Sequence, residues 1–167
     1  DAAETFVKAA NAFKLAKSWE LAGDAFVRAA ETFERSSDLT YDAGSKYADA
    51  AKAYKNGAPD KAIAAYRNAI RVYTDAARFQ QCARLSKELA EMHEANRYNE
   101  AAMESYSAAA DFYDGEDSKS HANAMRLKLA SISASEGKYA KAAELFERIA
   151  ADSLDNNLLK YSARDHL

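Results

Sequence analysis

The 167-residue sequence has one cysteine, one proline and no long apolar run. Cys82 cannot form an internal disulfide, and the sequence contains no Asn-x-Ser/Thr sequon, no signal-type apolar segment and no stretch of 18 apolar residues. These absences argue against secretion and against a membrane span, and they predict a reducing, cytoplasmic compartment. The formal net charge of −3 is too small to draw the whole chain to nucleic acid, so no nucleic-acid partner is expected.

Motifs of catalytic and metal-binding sites are also missing. The segment from His93 to Arg97 lacks the second histidine of a zinc-binding H-E-x-x-H helix, Cys82 has no recognisable catalytic partner, and no glycine-rich phosphate loop occurs. The sequence therefore predicts no enzyme activity, no metal and no cofactor, and it predicts a partly buried packing role for His93.

The residues that are present favour long helices. Apolar residues make up 49% of the chain, with alanine and tyrosine prominent, and charged residues make up 29%. A chain of this length is sufficient for one ordinary domain with a continuous core.

A pattern of small and aromatic residues recurs every 40 residues. Its four copies are Ala22, Phe26 and Ala29; Ala62, Tyr66 and Ala69; Ala102, Tyr106 and Ala109; and Ala142, Phe146 and Ile149. A fixed period of this length indicates a helical-repeat protein, and the spacing within each copy is a packing device on one helix face. The fold class expected is all-α: a right-handed solenoid of antiparallel helix pairs, similar to tetratricopeptide arrays but with a 40-residue instead of a 34-residue repeat.

Turn signals divide the chain into these pairs. Ser18 can cap the second helix, the stretch from Asn56 to Pro59 places proline at the start of the fourth, and Gly137 marks the turn before the eighth. The polar segment 152–157 predicts a further break. The expectation is a single helical-repeat domain, 1–167, with four helix pairs and the start of a fifth at 158–167, as an excerpt of a longer chain.

Several segments carry a resemblance to a known family. They are Asn11 to Trp19, Ala22 to Phe26, Tyr73 to Asp75 with Arg78-Phe79, Gly115-Glu116 with Ala122-Asn123, and Leu158 to Asp165. In order and spacing these segments resemble the soluble NSF attachment proteins, the SNAP adaptors, of the alpha/beta type. The resemblance implies an adaptor without an active site that lays its concave face along a SNARE four-helix bundle, of syntaxin-type and other SNAREs, for disassembly in vesicle trafficking.

The resemblance also implies where the other partners bind. The family contacts the hexameric ATPase NSF through a C-terminal part and the membrane through an apolar N-terminal loop. Both parts are expected to lie outside the 167 residues. The implied location is cytoplasmic and peripheral on membranes.

The same resemblance gives the site residues. Lys55, Arg78, Arg84 and Arg164 stand at basic positions that the family uses on the SNARE-facing surface, and Leu158 matches an apolar contact beside them. Ala124 and Asn56 stand where the family has lysines, and Lys128, one turn after Ala124, can supply part of the lost charge. Without the resemblance, scattered lysines and arginines on a helix indicate a solvated face.

Two other classes of protein stay open. A generic tetratricopeptide-like scaffold that binds a short peptide, of the carboxylate-clamp co-chaperone type, also consists of helix pairs, although the 40-residue period and the missing proline position of the 34-residue repeat disfavour it. An enzyme built into a helical-repeat frame is the third class, and the sequence offers no catalytic constellation for it.

Overall fold

The computed structural model describes residues 2–35 and 40–164, with side chains to residue 155. Over this part of the chain the secondary structure is helical, with no strand. The helices are α1 (Ala2–Leu15), α2 (Trp19–Glu34), α3 (Thr40–Tyr54), α4 (Pro59–Asp75), α5 (Phe79–Ala95), α6 (Asn99–Gly115), α7 (Lys119–Ser135) and α8 (Tyr139–Arg164). The all-α prediction is confirmed.

The chain divides into two compact units, unit 1 (Asp1–Leu89) and unit 2 (Ala90–Leu167), and the division falls inside α5. In unit 1, α2 packs against α1 and α3, and α3 packs against α4. In unit 2, α7 packs against α6 and α8. The expectation of a single domain stays a prediction.

Most turns between helices share one geometry. In the first, the Lys17 amide donates to the Lys14 carbonyl (3.0 Å) and the Ser18 amide donates to the Phe13 carbonyl (2.9 Å). This is the hydrogen-bond pair of a Schellman motif, which needs one residue in the left-handed region. The left-handed residues are Lys17, Ala77, Arg97, Asp117 and Gly137. Because a side chain is disfavoured there, only Gly137 is the residue type that this turn favours.

Of two predicted helix starts, one is confirmed and one differs in its hydrogen bonds. Pro59 lies at the first turn of α4, as predicted. Ser18 lies at the N-cap position of α2, but its hydroxyl makes no capping hydrogen bond. The turn before α2 is closed by backbone hydrogen bonds instead, so the predicted side-chain cap is wrong.

The 40-residue register is confirmed in the core. Its alanines are buried in all four copies, and its aromatic ring is buried in the first three: Ala22, Ala62, Ala102 and Ala142, with Phe26, Tyr66 and Tyr106. Phe146, the ring of the fourth copy, is 45% exposed. The fourth copy therefore keeps its buried alanine but not its buried ring.

The predicted break at 152–157 is wrong. α8 continues without interruption from Tyr139 to Arg164. Asp152 accepts a hydrogen bond from Arg126 of α7 (3.4 Å), and the Ser153 hydroxyl donates to the Ile149 carbonyl within the helix (2.8 Å). These polar residues therefore belong to a packed helix, and a polar segment without glycine or proline does not have to end one. The helix expected to start at residue 158 is the last part of α8.

Candidate partner-binding surface

The structure places four of the six predicted partner-binding side chains. Arg84 lies on α5 in unit 1 and Lys128 on α7 in unit 2, while Lys55 and Arg78 lie in turns of unit 1. All four are exposed. The side chains of Leu158 and Arg164 lie outside the described residues.

Arg84 is engaged with its own helix. Its Nη1 donates to Glu88 Oε1 (3.2 Å), one turn later, and its Nη2 donates to Gln81 Oε1 (3.3 Å). The other carboxylate oxygen of Glu88 accepts from the hydroxyl of Tyr66 on α4 (3.2 Å). Tyr66 is the buried ring of the second repeat copy, so the core of unit 1 holds the carboxylate that pairs with Arg84.

Lys128 is held in the same way, but across two helices. Its Nζ donates to Glu94 Oε1 on α5 (3.3 Å), and Glu94 Oε2 accepts from the hydroxyl of Tyr106 on α6 (2.5 Å). The hydrogen bond from Tyr106 is the main reason that the pKa of Glu94 lies below its ordinary value. Burial, and then the hydrogen bond to Glu94, raises the pKa of Tyr106. Glu94 is therefore ionised when it meets Lys128.

Lys55 and Arg78 lie at opposite ends of the antiparallel helices of unit 1. The hydroxyl of Tyr73 near the end of α4 contacts the Tyr41 carbonyl near the start of α3 (3.5 Å), and Thr74 Oγ1 lies 3.4 Å from Cys82 Sγ near the start of α5. α4 is thus antiparallel to both neighbours. Lys55 follows the end of α3 and Arg78 precedes the start of α5, so the structure does not bring these two cations together.

Two further tyrosine–carboxylate–cation groups occur in unit 1. The Tyr54 hydroxyl donates to Asp24 Oδ1 (2.6 Å), which also accepts from Lys61 Nζ (3.2 Å). In the second group the acceptor is Glu34: its Oε2 accepts from the Tyr47 hydroxyl (2.9 Å) and its Oε1 accepts from Arg71 Nη2 (2.6 Å). The hydrogen bond from Tyr54 lowers the pKa of Asp24, and burial, with Glu34, raises the pKa of Tyr47 to about 12.

The sequence analysis did not single out the carboxylates of this surface. Arg84 and Glu88 are four residues apart on one helix, so their spacing alone indicates a pair. Glu94 and Lys128 are 34 residues apart, and no sequence pattern joins them. Ala124, at the position where the family has a lysine, is exposed on α7 one turn before Lys128.

The described residues contain no group of histidine, cysteine or carboxylate side chains that is suited to a metal ion. Cys82 is buried, and burial raises the pKa of its thiol, which disfavours the reactive thiolate. His93 is buried and its ring lies 6.2 Å from that of Tyr98, consistent with a packing role and with more burial than expected. Among the described helices, none is long and apolar enough to cross a membrane.

Solved structures share the fold at low sequence identity. The apo form of RapI has a TM-score of 0.63 at 13% identity, over 98% of this chain and 60% of that one. The TPR-like repeats of a kinesin light chain from Podosopora anserina have a TM-score of 0.57 at 16% identity, over 91% of this chain and 75% of that one. These similarities support the helical-repeat fold alone.

Sequence relatives identify the family. The beta-soluble NSF attachment protein of Bos taurus is 41% identical over 99% of this chain and 56% of the relative. The alpha-soluble NSF attachment protein of Vitis vinifera is 40% identical over 100% of this chain and 57% of the relative. A "Probable vesicular-fusion protein sec17 homolog" of Neurospora crassa is 37% identical over 99% of this chain and 57% of the relative.

The chain thus spans a little over half the length of these relatives. The family model described as "Soluble NSF attachment protein, SNAP" matches residues 1–167, the whole of the chain. With the helical-repeat fold and the 40-residue register, this match shows that the chain belongs to the soluble NSF attachment protein family.

Proposed function

We propose that this chain acts as part of an adaptor that binds SNARE complexes and couples them to the ATPase NSF for their disassembly in vesicle trafficking. The observation that carries the proposal is the match of the family over the whole chain. The relatives are named as NSF attachment proteins, and one is named for vesicular fusion. The proposed role is that of an adaptor and not of an enzyme.

The proposed SNARE-binding residues are those predicted from the sequence. They are Lys55, Arg78, Arg84, Lys128, Leu158 and Arg164. Arg84 and Lys128 support the proposal best, because both are exposed cations on first helices of the repeat pairs and can meet an acidic helical bundle. Syntaxin-type SNAREs are the proposed partners.

The remaining contacts of the family are proposed to lie outside this stretch. NSF is expected to bind a C-terminal part of the family and the membrane an N-terminal loop, which gives a cytoplasmic protein that is peripheral on membranes. The 167 residues are accordingly expected to bind SNARE bundles without stimulating ATP hydrolysis by NSF.

Charge reversal tests the SNARE-binding surface. Replacing Arg84 and Lys128 by glutamate exchanges attraction for repulsion at two sites, and this should weaken binding of an assembled SNARE bundle by about 1–3 kcal/mol, or ten- to a hundredfold. Binding of the unchanged chain should weaken as salt shortens the screening length below about 8 Å, and binding of the double variant should respond less.

A matched variant controls for net charge. Arg67 on α4 and Lys141 on α8 are exposed, and reversing both changes the net charge equally. This control should bind nearly as well as the unchanged chain. Equal affinities for the two double variants, or parallel salt dependences, would remove Arg84 and Lys128 from the site.

A further inference from the structure

Arg84 and Lys128 share an arrangement that the other described candidates lack. Each is bound by a glutamate of α5, Arg84 by Glu88 at 3.2 Å and Lys128 by Glu94 at 3.3 Å. Among the described residues, Lys55 and Arg78 have no such carboxylate partner. Two of the four described cations are therefore neutralised by the protein's own surface before an acidic partner arrives.

Each glutamate is fixed by a tyrosine of the repeat motif. Tyr66 and Tyr106 are equivalent rings, 40 residues apart, and both are buried. Their hydroxyls donate to Oε2 of Glu88 and Glu94, while Oε1 of each glutamate accepts from the cation. Because a buried ring has a fixed position, the hydrogen bond from its hydroxyl also fixes the position of the carboxylate.

We propose that Glu88 and Glu94 are positioning residues that hold Arg84 and Lys128 against the protein's own surface and so lower its affinity for an acidic helical partner. This inference rests on the proposed function. An acidic side chain of the partner can bind Arg84 or Lys128 only in exchange for the internal glutamate. The exchange replaces one ion pair by another, which keeps the complex reversible.

A purely structural role accounts poorly for these pairs. The side chains of Arg84 and Lys128 are 48% and 54% exposed, and ion pairs at such sites contribute little to folding stability. Neutralising either glutamate should therefore leave the fold intact and free the cation. A structural role would instead lower stability and leave the affinity unchanged or reduced.

The test replaces each glutamate by glutamine. Glu88→Gln and Glu94→Gln remove the charge but keep a side-chain oxygen that can accept from the tyrosine hydroxyl. Each variant should bind an assembled SNARE bundle about two- to fivefold more tightly at low salt, and the gain should disappear at high salt. Glu104→Gln, on the exposed face of α6, changes net charge equally and should give a smaller gain.

A double-mutant cycle shows whether the gain passes through the cation. In a Lys128→Gln background, Glu94→Gln should tighten binding no more than Glu104→Gln does, because the cation that it frees is gone. A larger gain in this background, or a gain with Lys128 present that only equals the Glu104→Gln gain, would overturn the inference and leave the proposed function standing. Failure of the unchanged chain to bind the bundle would overturn the proposed function and this inference with it.

Discussion

At one helix–helix contact of the repeat, the two units have the large and the small residue on opposite helices. In unit 1, Gly23 of α2 faces the ring of Tyr54 of α3, and a Cβ added to the glycine would overlap that ring. In unit 2, the equivalent residues are Met103 of α6 and Ser133 of α7, and the serine hydroxyl lies 3.4 Å from the methionine sulfur. The large residue of unit 1, Tyr54, thus lies on the first helix of a pair, and the large residue of unit 2, Met103, lies on the second helix of a pair.

This exchange shows what the repeat conserves. The alanines fix where helices approach, and the space beside them can be filled from either side provided that the total volume is similar. Unit 1 fills it with tyrosines, whose hydroxyls then reach carboxylates at the surface. Among the residues whose side chains are described, unit 2 has fewer buried tyrosines, with methionine, leucine and a buried arginine among its buried side chains.

The largest expected effect concerns that buried arginine. Arg126 is 3% exposed and binds Asp114 and Asp152, with Asn123 Oδ1 accepting from its Nη1 at 2.8 Å. Arg126→Met leaves the partly buried Asp152 without its cation and Asp114 with the exposed Arg148 alone, so we expect a loss of about 3–5 kcal/mol in the free energy of unfolding of unit 2. Urea unfolding measures it.

Arg148 provides the matched control. Its Nη2 lies 3.1 Å from the same Asp114, but its side chain is 58% exposed. Arg148→Met should cost about 0.2–1 kcal/mol. If the two substitutions cost the same, burial of Arg126 is not what stabilises this part of unit 2.

A smaller effect on stability is expected at Gly23, where the absence of a side chain leaves room for the ring of Tyr54. Gly23→Ala places a methyl group against Tyr54 and should destabilise unit 1 by about 1–3 kcal/mol, even though alanine favours the helix. Gly57→Ala is the control, because nothing lies within 4 Å of an added Cβ there. Thermal unfolding of both variants makes the comparison.

The volume exchange itself can be tested in unit 1. Gly23→Met combined with Tyr54→Ser reproduces the side chains of unit 2 at the equivalent position. The double variant should be more stable than the sum of the two single substitutions indicates. Additive losses would show that the two positions are packed independently.

The last expected difference is absent at neutral pH and concerns the stability of the two units in alkali. Burial raises the pKa of Tyr47 and Tyr73 to about 12, above the value near 10 of an unfolded tyrosine. The stability that these phenols contribute is therefore complete below about pH 10 and is lost as the pH rises towards 12. Unit 1 contains both, and the pKa of Tyr54 is raised there too, whereas Tyr106 is the described tyrosine of unit 2 with a raised pKa. Unit 1 should therefore lose more stability in alkali and unfold first.

Trp19, the single tryptophan, lies in unit 1 and reports on it. Its emission maximum should shift at a lower pH than the midpoint for loss of helical circular dichroism. Tyr73→Phe, which removes one of the titrating groups, should move the fluorescence transition to higher pH. Coincident transitions in the unchanged chain would contradict the difference between the units.

The candidate site was predictable only in part. The resemblance supplied Arg84 and helix spacing supplied Lys128; both side chains are exposed, and their role as SNARE contacts stays a prediction. The contact between Glu94 and Lys128 was not predictable, because it depends on how α5 and α7 face each other within unit 2. The pair of Arg84 and Glu88 was within reach, since it is local to one helix.

The sequence by itself determined the helices and their register, because both follow from local chemistry. Alanines and rings at helical spacing define a face that must be buried, and Pro59 fixes the start of a helix. The tertiary structure decided the rest. Ala77 adopts a left-handed backbone without the glycine that would have signalled it, and Arg126 draws the polar Asp152 into a continuous α8. The contact between Arg126 and Asp152 joins two helices across 26 residues of sequence, and no local pattern in the sequence indicates such a contact.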